Sequence, residues 1–169
     1  TTAARIFAKA VNCENLTDGE PCGACAACKS ILAGRYMDII EIDAASNRGI
    51  DDIRSLRDKI KLAPTSGEYK VYIIDEVHML TIEAFNALLK TLEEPPRHAI
   101  FIPATTEIQK VPETIKSRCQ RFEFHRAGVK DIVKKLKVIA DAEGASLSEE
   151  DLDHLARLAQ GGFRDAETM

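Results

Sequence analysis

Two hydrophobic periodicities alternate along most of the chain, and only one of them persists toward its end. Ile6, Phe7, Ala10 and Val11 recur at helical spacing, so Thr1 to Asn12 reads as an amphipathic helix carrying Arg5 and Lys9. Turn-forming Gly19, Pro21 and Gly23 come next, then a short helical remnant from Lys29 that Gly34 ends. Ile39 to Asp43 is β-branched and short, as a strand should be, and leads into the loop Ala44 to Gly49. Ile53, Leu56 and Ile60 then define one face of a helix over about Ile50 to Leu62, which Pro64 stops. Lys70 to Asp75 is a second strand whose interior, Val71 to Ile74, is apolar without alternation, the pattern of burial on both faces of a parallel sheet. Thr81 is placed to cap the next helix, with Ile82, Phe85, Leu88, Leu89 and Leu92 as its inner face and Pro95-Pro96 as its end. Ala99 to Pro103 predicts a third strand and Arg121 to Phe124 a fourth, with a short Pro112-initiated helix between them.

After His125 the strands cease. Val129, Ile132, Val133, Leu136 and Ile139 mark one helix; Ser148 caps a second, with Leu152, Leu155, Ala156 and Ala159 inward; Gly161-Gly162 precedes a third. The expected fold is therefore an α/β domain with a parallel sheet flanked by helices, residues 1–126, and a helical domain over 127–169. The sequence shows no internal repeats and no low-complexity tracts.

Composition changes this picture little. With 45% hydrophobic and 30% charged residues, the chain is built like a soluble globular protein. No stretch approaches the roughly 20 consecutive apolar residues of a membrane span, and nothing resembles a signal peptide, so a cytoplasmic location with no membrane partner is expected. A net charge of −4 makes the surface as a whole no nucleic-acid magnet; any DNA contact must be local. Ser46, Asn47 and Arg48, just ahead of a helix, suit such phosphate contact.

Cysteine usage adds chemistry. Cys13, Cys22, Cys25 and Cys28 crowd into one turn-rich segment (12–30), while Cys119 stands alone as a small hydrophobe. Without a secretory context, such crowding favours a metal over disulfides. Four thiolates complete a closed tetrahedral zinc shell. An iron–sulfur cluster is the rival, but here the fourth cysteine precedes the triplet and the triplet lacks a Cys-Pro ending, which favours zinc. The zinc would staple an insertion that has no core of its own.

The sharpest catalytic signal is Asp75-Glu76 at the end of the buried run Val71 to Ile74. Carboxylates at the end of an apolar strand are expensive to place unless they have a task. In P-loop ATPases the first such acid holds Mg²⁺ and the second polarises the attacking water. The segments Asp75-Glu76-Val77-His78, Phe85-Asn86-Ala87-Leu88-Leu89-Lys90-Thr91-Leu92-Glu93-Glu94-Pro95-Pro96, Ala104-Thr105-Thr106 and Ser117-Arg118-Cys119 together resemble the clamp-loader branch of the AAA+ ATPases, over essentially the whole chain.

The resemblance implies roles residue by residue. Asp75 helps hold Mg²⁺, Glu76 activates water, and Thr106 reports on the γ-phosphate. Arg118 acts in trans on ATP held by a neighbouring subunit, a task suited to a permanently charged fork. Arg164, in Gly161-Gly162-Phe163-Arg164, matches a second sensor in the helical lid. His78 is expected to make a local hydrogen bond only. The family's G-x-x-x-x-G-K-S/T phosphate cradle is not found. Thr1-Thr2-Ala3-Ala4-Arg5 resembles the stretch just after its Lys, so Thr1 would be the Mg²⁺-ligating hydroxyl and Thr2 its neighbour at the nucleotide. The cradle's strand lies mid-sheet in this family, so the chain as it stands is expected to bind ATP weakly or not at all, with two strand edges unpaired.

The function implied is ATP-driven loading of a sliding clamp onto primed DNA, with other clamp-loader subunits, the clamp and primer–template DNA as partners. The alternative is a non-hydrolysing, delta-prime-like scaffold of the same assembly that donates Arg118; the acid pair and Thr1 weigh against it. A branch-migration helicase is disfavoured by the four-cysteine insertion.

Overall fold

The computed structural model describes residues 1–169 and divides into two compact units, Thr1–Gln120 and Arg121–Met169. In the first, β1 (Ile39–Asp43), β2 (Lys70–Asp75) and β3 (Ala99–Pro103) form a parallel sheet in that order. Ile39 pairs with Val71 and Asp43 with Asp75; Lys70 pairs with Ala99 and Ile74 with Pro103. All three strands therefore end along one rim.

β2 is central, and its residues Lys70 to Ile74 are buried, as the unbroken apolar run requires. Tyr72 and Ile74 face α3 (Ile50–Ile60) and α4 (Ile82–Glu93), packing with Ile53, Leu56, Ile60, Phe85 and Leu88. Each of those side chains contributes about 2 kcal/mol by burial. Tyr72 also stacks on Phe101 with ring centroids 5.3 Å apart. Val71 and Ile73 face the opposite way, against Ala4 and Ala8 of α1 (Thr2–Val11).

That second contact corrects one expectation. The inner stripe of α1 is Ala4 and Ala8, while Ile6 and Phe7 are half exposed. Small side chains let the helix backbone approach the sheet closely; the larger ones lie off that line of contact. Ile82 is likewise outward-facing, 72% exposed, because it opens the first turn of α4 rather than its buried stripe. The Thr81 cap forms as expected, its hydroxyl accepting from the Ala84 N–H at 3.2 Å.

Arg121 to Phe124 is not a strand. Its alternation suits a half-buried strand, but a strand exists only through a ladder partner, and none pairs with it; Phe122 and Phe124 are 71% and 77% exposed. In the second unit, α6 (Val129–Glu143), α7 (Glu149–Leu158) and α8 (Phe163–Thr168) enclose Ile132, Leu136, Leu152, Ala156 and Ala166. Gly144 ends α6 in the left-handed conformation, and Ser148 caps α7 by accepting from the Asp151 N–H at 3.1 Å. No helix is long and apolar enough to cross a membrane.

Beneath the sheet's entry side, Asp38 is fully buried and accepts from the N–H groups of Thr65, Ser66 and Gly67 at 2.7, 2.7 and 2.9 Å. Asn12 closes the same corner, its Oδ1 accepting from the Tyr69 N–H at 3.0 Å. These bonds orient the loop feeding β2 and thereby fix the strand that carries the acids.

Candidate active site and metal centre

The rim where the parallel strands end collects the polar residues. Asp75 is the last residue of β2, and the next residue, Glu76, is left-handed (φ 48°, ψ 44°) before a 3-10 turn over Val77–Met79. A non-glycine residue held there stores about 1–2 kcal/mol of strain, which the surrounding bonds must offset. Two backbone bonds do so, Ala104 N–H to Ile74 O at 2.8 Å and Val77 N–H to Ala104 O at 2.9 Å. They pin the turn against the segment leaving β3.

Thr1, at the N-terminus of α1, donates its hydroxyl to Asp75 Oδ2. This contact joins residues far apart along the chain, and α1 makes it by lying across Val71 and Ile73. Thr106 donates its hydroxyl to Glu76 Oε2 at 3.1 Å, and its N–H approaches the same oxygen at 3.4 Å. His78 lies with Nδ1 2.8 Å from Thr105 Oγ1 and 3.3 Å from Glu76 Oε2, its side chain 7% exposed. Thr1, Asp75, Glu76 and Thr106 are thus brought together in two linked pairs. Thr2 is exposed in the first turn of α1.

Three further charged residues lie near the rim. Arg5 forms a forked pair with Glu41, both bonds 2.6 Å, and that carboxylate raises the Arg5 pKa. Asp43, in register with Asp75, accepts from Ser46 Oγ at 2.7 Å and from the Ala45 N–H at 2.8 Å; these bonds hold its pKa below the usual range.

The remaining expected residues lie apart from these contacts. Arg118 comes just after α5 (Glu113–Lys116) and pairs with Glu93 at the end of α4. Arg164 is on α8 in the second unit, where its carbonyl accepts from the Thr168 hydroxyl at 2.8 Å. Ser46, Asn47 and Arg48 are committed to their own loop: Asn47 Nδ2 donates to Asp43 O at 3.0 Å and Arg48 Nε to Ala45 O at 2.8 Å. The N-terminus of α3 behind them is capped by Asp52, which accepts from the Gly49 N–H at 3.2 Å. A carboxylate therefore already occupies the place a phosphate would take there.

Sequence reasoning missed Thr105, Glu93 and the Asp38 cage. Glu93 and Thr105 sit inside the family-like segments, but nothing in their spacing tells which side chain they meet.

The four expected metal ligands do converge. The sulfurs of Cys13, Cys22, Cys25 and Cys28 all lie within 4.8 Å of one another, with Cys22 and Cys28 4.0 Å apart. Thiolates arranged tetrahedrally at about 2.3 Å from a zinc ion would be separated by about 3.8 Å. Cys28 stands on α2 (Ala26–Leu32) and Cys25 caps it, so half the cluster rides on a helix. N–H groups of Cys22, Cys25 and Cys28 point at the sulfurs of Cys13, Cys22 and Cys25 at 3.3, 3.3 and 3.4 Å, and lower those thiols' pKa values. Burial pushes the Cys28 thiol up to about 12. A closed set of four sulfurs with N–H support fits a structural zinc. Cys119 packs against the α3–α4 core, and burial raises its pKa.

The chain is similar to known proteins. A family model described as DNA polymerase III, delta subunit, matches residues 1–128. DNA polymerase III subunit tau of Bacillus subtilis is 61% identical over 166 residues, which are 98% of this chain and 30% of that protein. The chain thus spans under a third of that relative's length. A solved structure of a DNA polymerase III gamma subunit-related protein from Thermotoga maritima superposes with a TM-score of 0.61 at 26% identity, over 99% of this chain and 55% of that one. The RuvB Holliday junction branch migration motor of the same organism gives a TM-score of 0.65 at 19% identity, over 80% of this chain and 45% of that one, a likeness of fold alone.

Proposed function

Because the chain belongs to the family described as DNA polymerase III, delta subunit, and shares 61% identity with a tau subunit, we propose that it is nucleotide-binding machinery of a gamma/tau clamp-loader subunit. In that reading the complete protein uses ATP to load a sliding clamp onto primed DNA, alongside other subunits of the polymerase assembly. The observation that carries it is the junction at the rim, where Thr1 bonds Asp75 and Thr106 bonds Glu76.

Thr1 and Asp75 offer two hard oxygens side by side, a donor set suited to Mg²⁺. When bound with ATP, that ion supplies neutralising charge at the phosphate oxygens. Glu76 orients the attacking water and takes up its proton; Thr106, bonded to Glu76, stands where a hydroxyl can sense the terminal phosphate. Arg118 serves the nucleotide of an adjacent subunit, and Arg164 contributes from the helical unit. Cys13, Cys22, Cys25 and Cys28 hold a structural zinc. Residues 1–126 and 127–169 act as nucleotide-binding body and lid.

The intact Asp75-Glu76 pair, with Thr1 beside it, supports the motor over the delta-prime-like alternative. The test is Glu76→Gln in the complete subunit. ATP binding should survive, and hydrolysis should fall by about 10²–10⁴-fold, the range of a general base. An unchanged rate would overturn the motor reading.

A further inference from the structure

Within that proposed ATPase, we propose that His78, oriented by Thr105, is a positioning residue for Glu76 and selects which carboxylate oxygen meets water. Glu76 is left-handed directly after a strand. Its side chain can point in several ways once the backbone has turned, so the carboxylate needs external restraint.

The restraint falls on one oxygen. Thr106 Oγ1, Thr106 N–H and His78 Nδ1 all lie within 3.1 to 3.4 Å of Glu76 Oε2. No hydrogen bond reaches Oε1. An ionised carboxylate only accepts, so with a proton on Nδ1 that N–H is shared, bonding Thr105 Oγ1 at 2.8 Å and leaning toward Glu76 Oε2 at 3.3 Å. Thr105 then supplies the second half of the arrangement. Its hydroxyl oxygen accepts from the Glu107 N–H at 3.0 Å and lies 2.8 Å from Nδ1, which fixes the tilt of the imidazole. The ring itself is almost wholly enclosed, its side chain 7% exposed. An enclosed, doubly oriented ring beside a general base acts as a stop: it holds Oε2 against the β3 side and leaves Oε1 free for water. This orienting role matches the part a third group plays when it aims a base.

The assignment rests on Glu76 being the base, and the experiment separates the two. In the complete subunit, His78→Ala should lower kcat for ATP hydrolysis by about tenfold or more with KM for ATP unchanged. His78→Asn, whose amide N–H can replace Nδ1–H, should recover most of the loss. Thr105→Val should reproduce the His78→Ala defect while Thr105→Ser does not, and this pair decides if His78→Ala fails to fold. A kcat within twofold of wild type for His78→Ala, or equal losses for the alanine and asparagine variants with a rise in KM, would overturn the positioning role. Full activity in Glu76→Gln would instead sink the motor reading itself.

Discussion

Arg118 is held by its own chain: Nη2 donates to Glu93 Oε1 at 2.5 Å and Nη1 to the carbonyl of Thr114 at 2.6 Å. The pair stands a third to a half exposed, so solvent screens it and it contributes at most about 1 kcal/mol to stability. Its bearing is orientation. Glu93 ends α4 and Thr114 lies on α5, so together they fix the guanidinium between two anchored elements.

Arg118→Ala should therefore leave thermal unfolding nearly unchanged. In an assembled complex it should slow hydrolysis at the adjacent subunit's nucleotide by about 10³-fold, the order supplied by arginine fingers. Mixing Arg118→Ala and wild-type subunits in ATPase assays checks which nucleotide suffers.

Asp38 governs stability rather than chemistry. Burial pushes its pKa up, but the three N–H bonds from Thr65, Ser66 and Gly67, with Lys70 nearby, outweigh this and hold the carboxyl below its ordinary value. A carboxylate with a depressed folded pKa contributes stability above its unfolded pKa, near 4, and loses that contribution as pH falls through the lower folded value. Asp38→Asn should cost about 3 kcal/mol at pH 7, since a neutral amide serves three donors poorly. Urea unfolding should show the gap between mutant and wild type shrinking below about pH 4.

Metal removal should act locally. Of the residues around the four sulfurs, few are buried (Ala27 and Cys28 among them), so the segment has almost no core to fall back on. Mass spectrometry of the native protein should find about one zinc per chain, with no visible absorption of the iron–sulfur kind. Chelation, or Cys28→Ser, should open residues 13–28 to proteolysis while the sheet keeps its far-ultraviolet signature.

Much of this was legible from residue patterns, and the exceptions have a common cause. β2 and β3 lie where their apolar runs are, Val71 to Ile74 and Ala99 to Pro103, because a strand packed against helices keeps its charged residues to its ends. Thr81 and Ser148 cap because capping is settled within three residues. The failures concern partners far along the chain. Periodicity favoured Ile6 and Phe7 over Ala4 and Ala8 as the inner face of α1, since it weighs hydrophobicity and not the distance of closest approach. Phe122 and Phe124 alternate like a strand, but alternation cannot supply the neighbour a ladder needs. The Thr1–Asp75 junction was foreseen only through family likeness; the His78–Thr105 link was not foreseen, because it depends on how two loops meet.

Since every parallel strand finishes on the same side, polar side chains are gathered downstream of the packed interior instead of within it. Exchanging Asp75, Glu76 or Thr106 for inert side chains would leave Tyr72, Ile74 and their helical neighbours untouched. The rim and the packed interior can therefore vary independently, one without cost to the other.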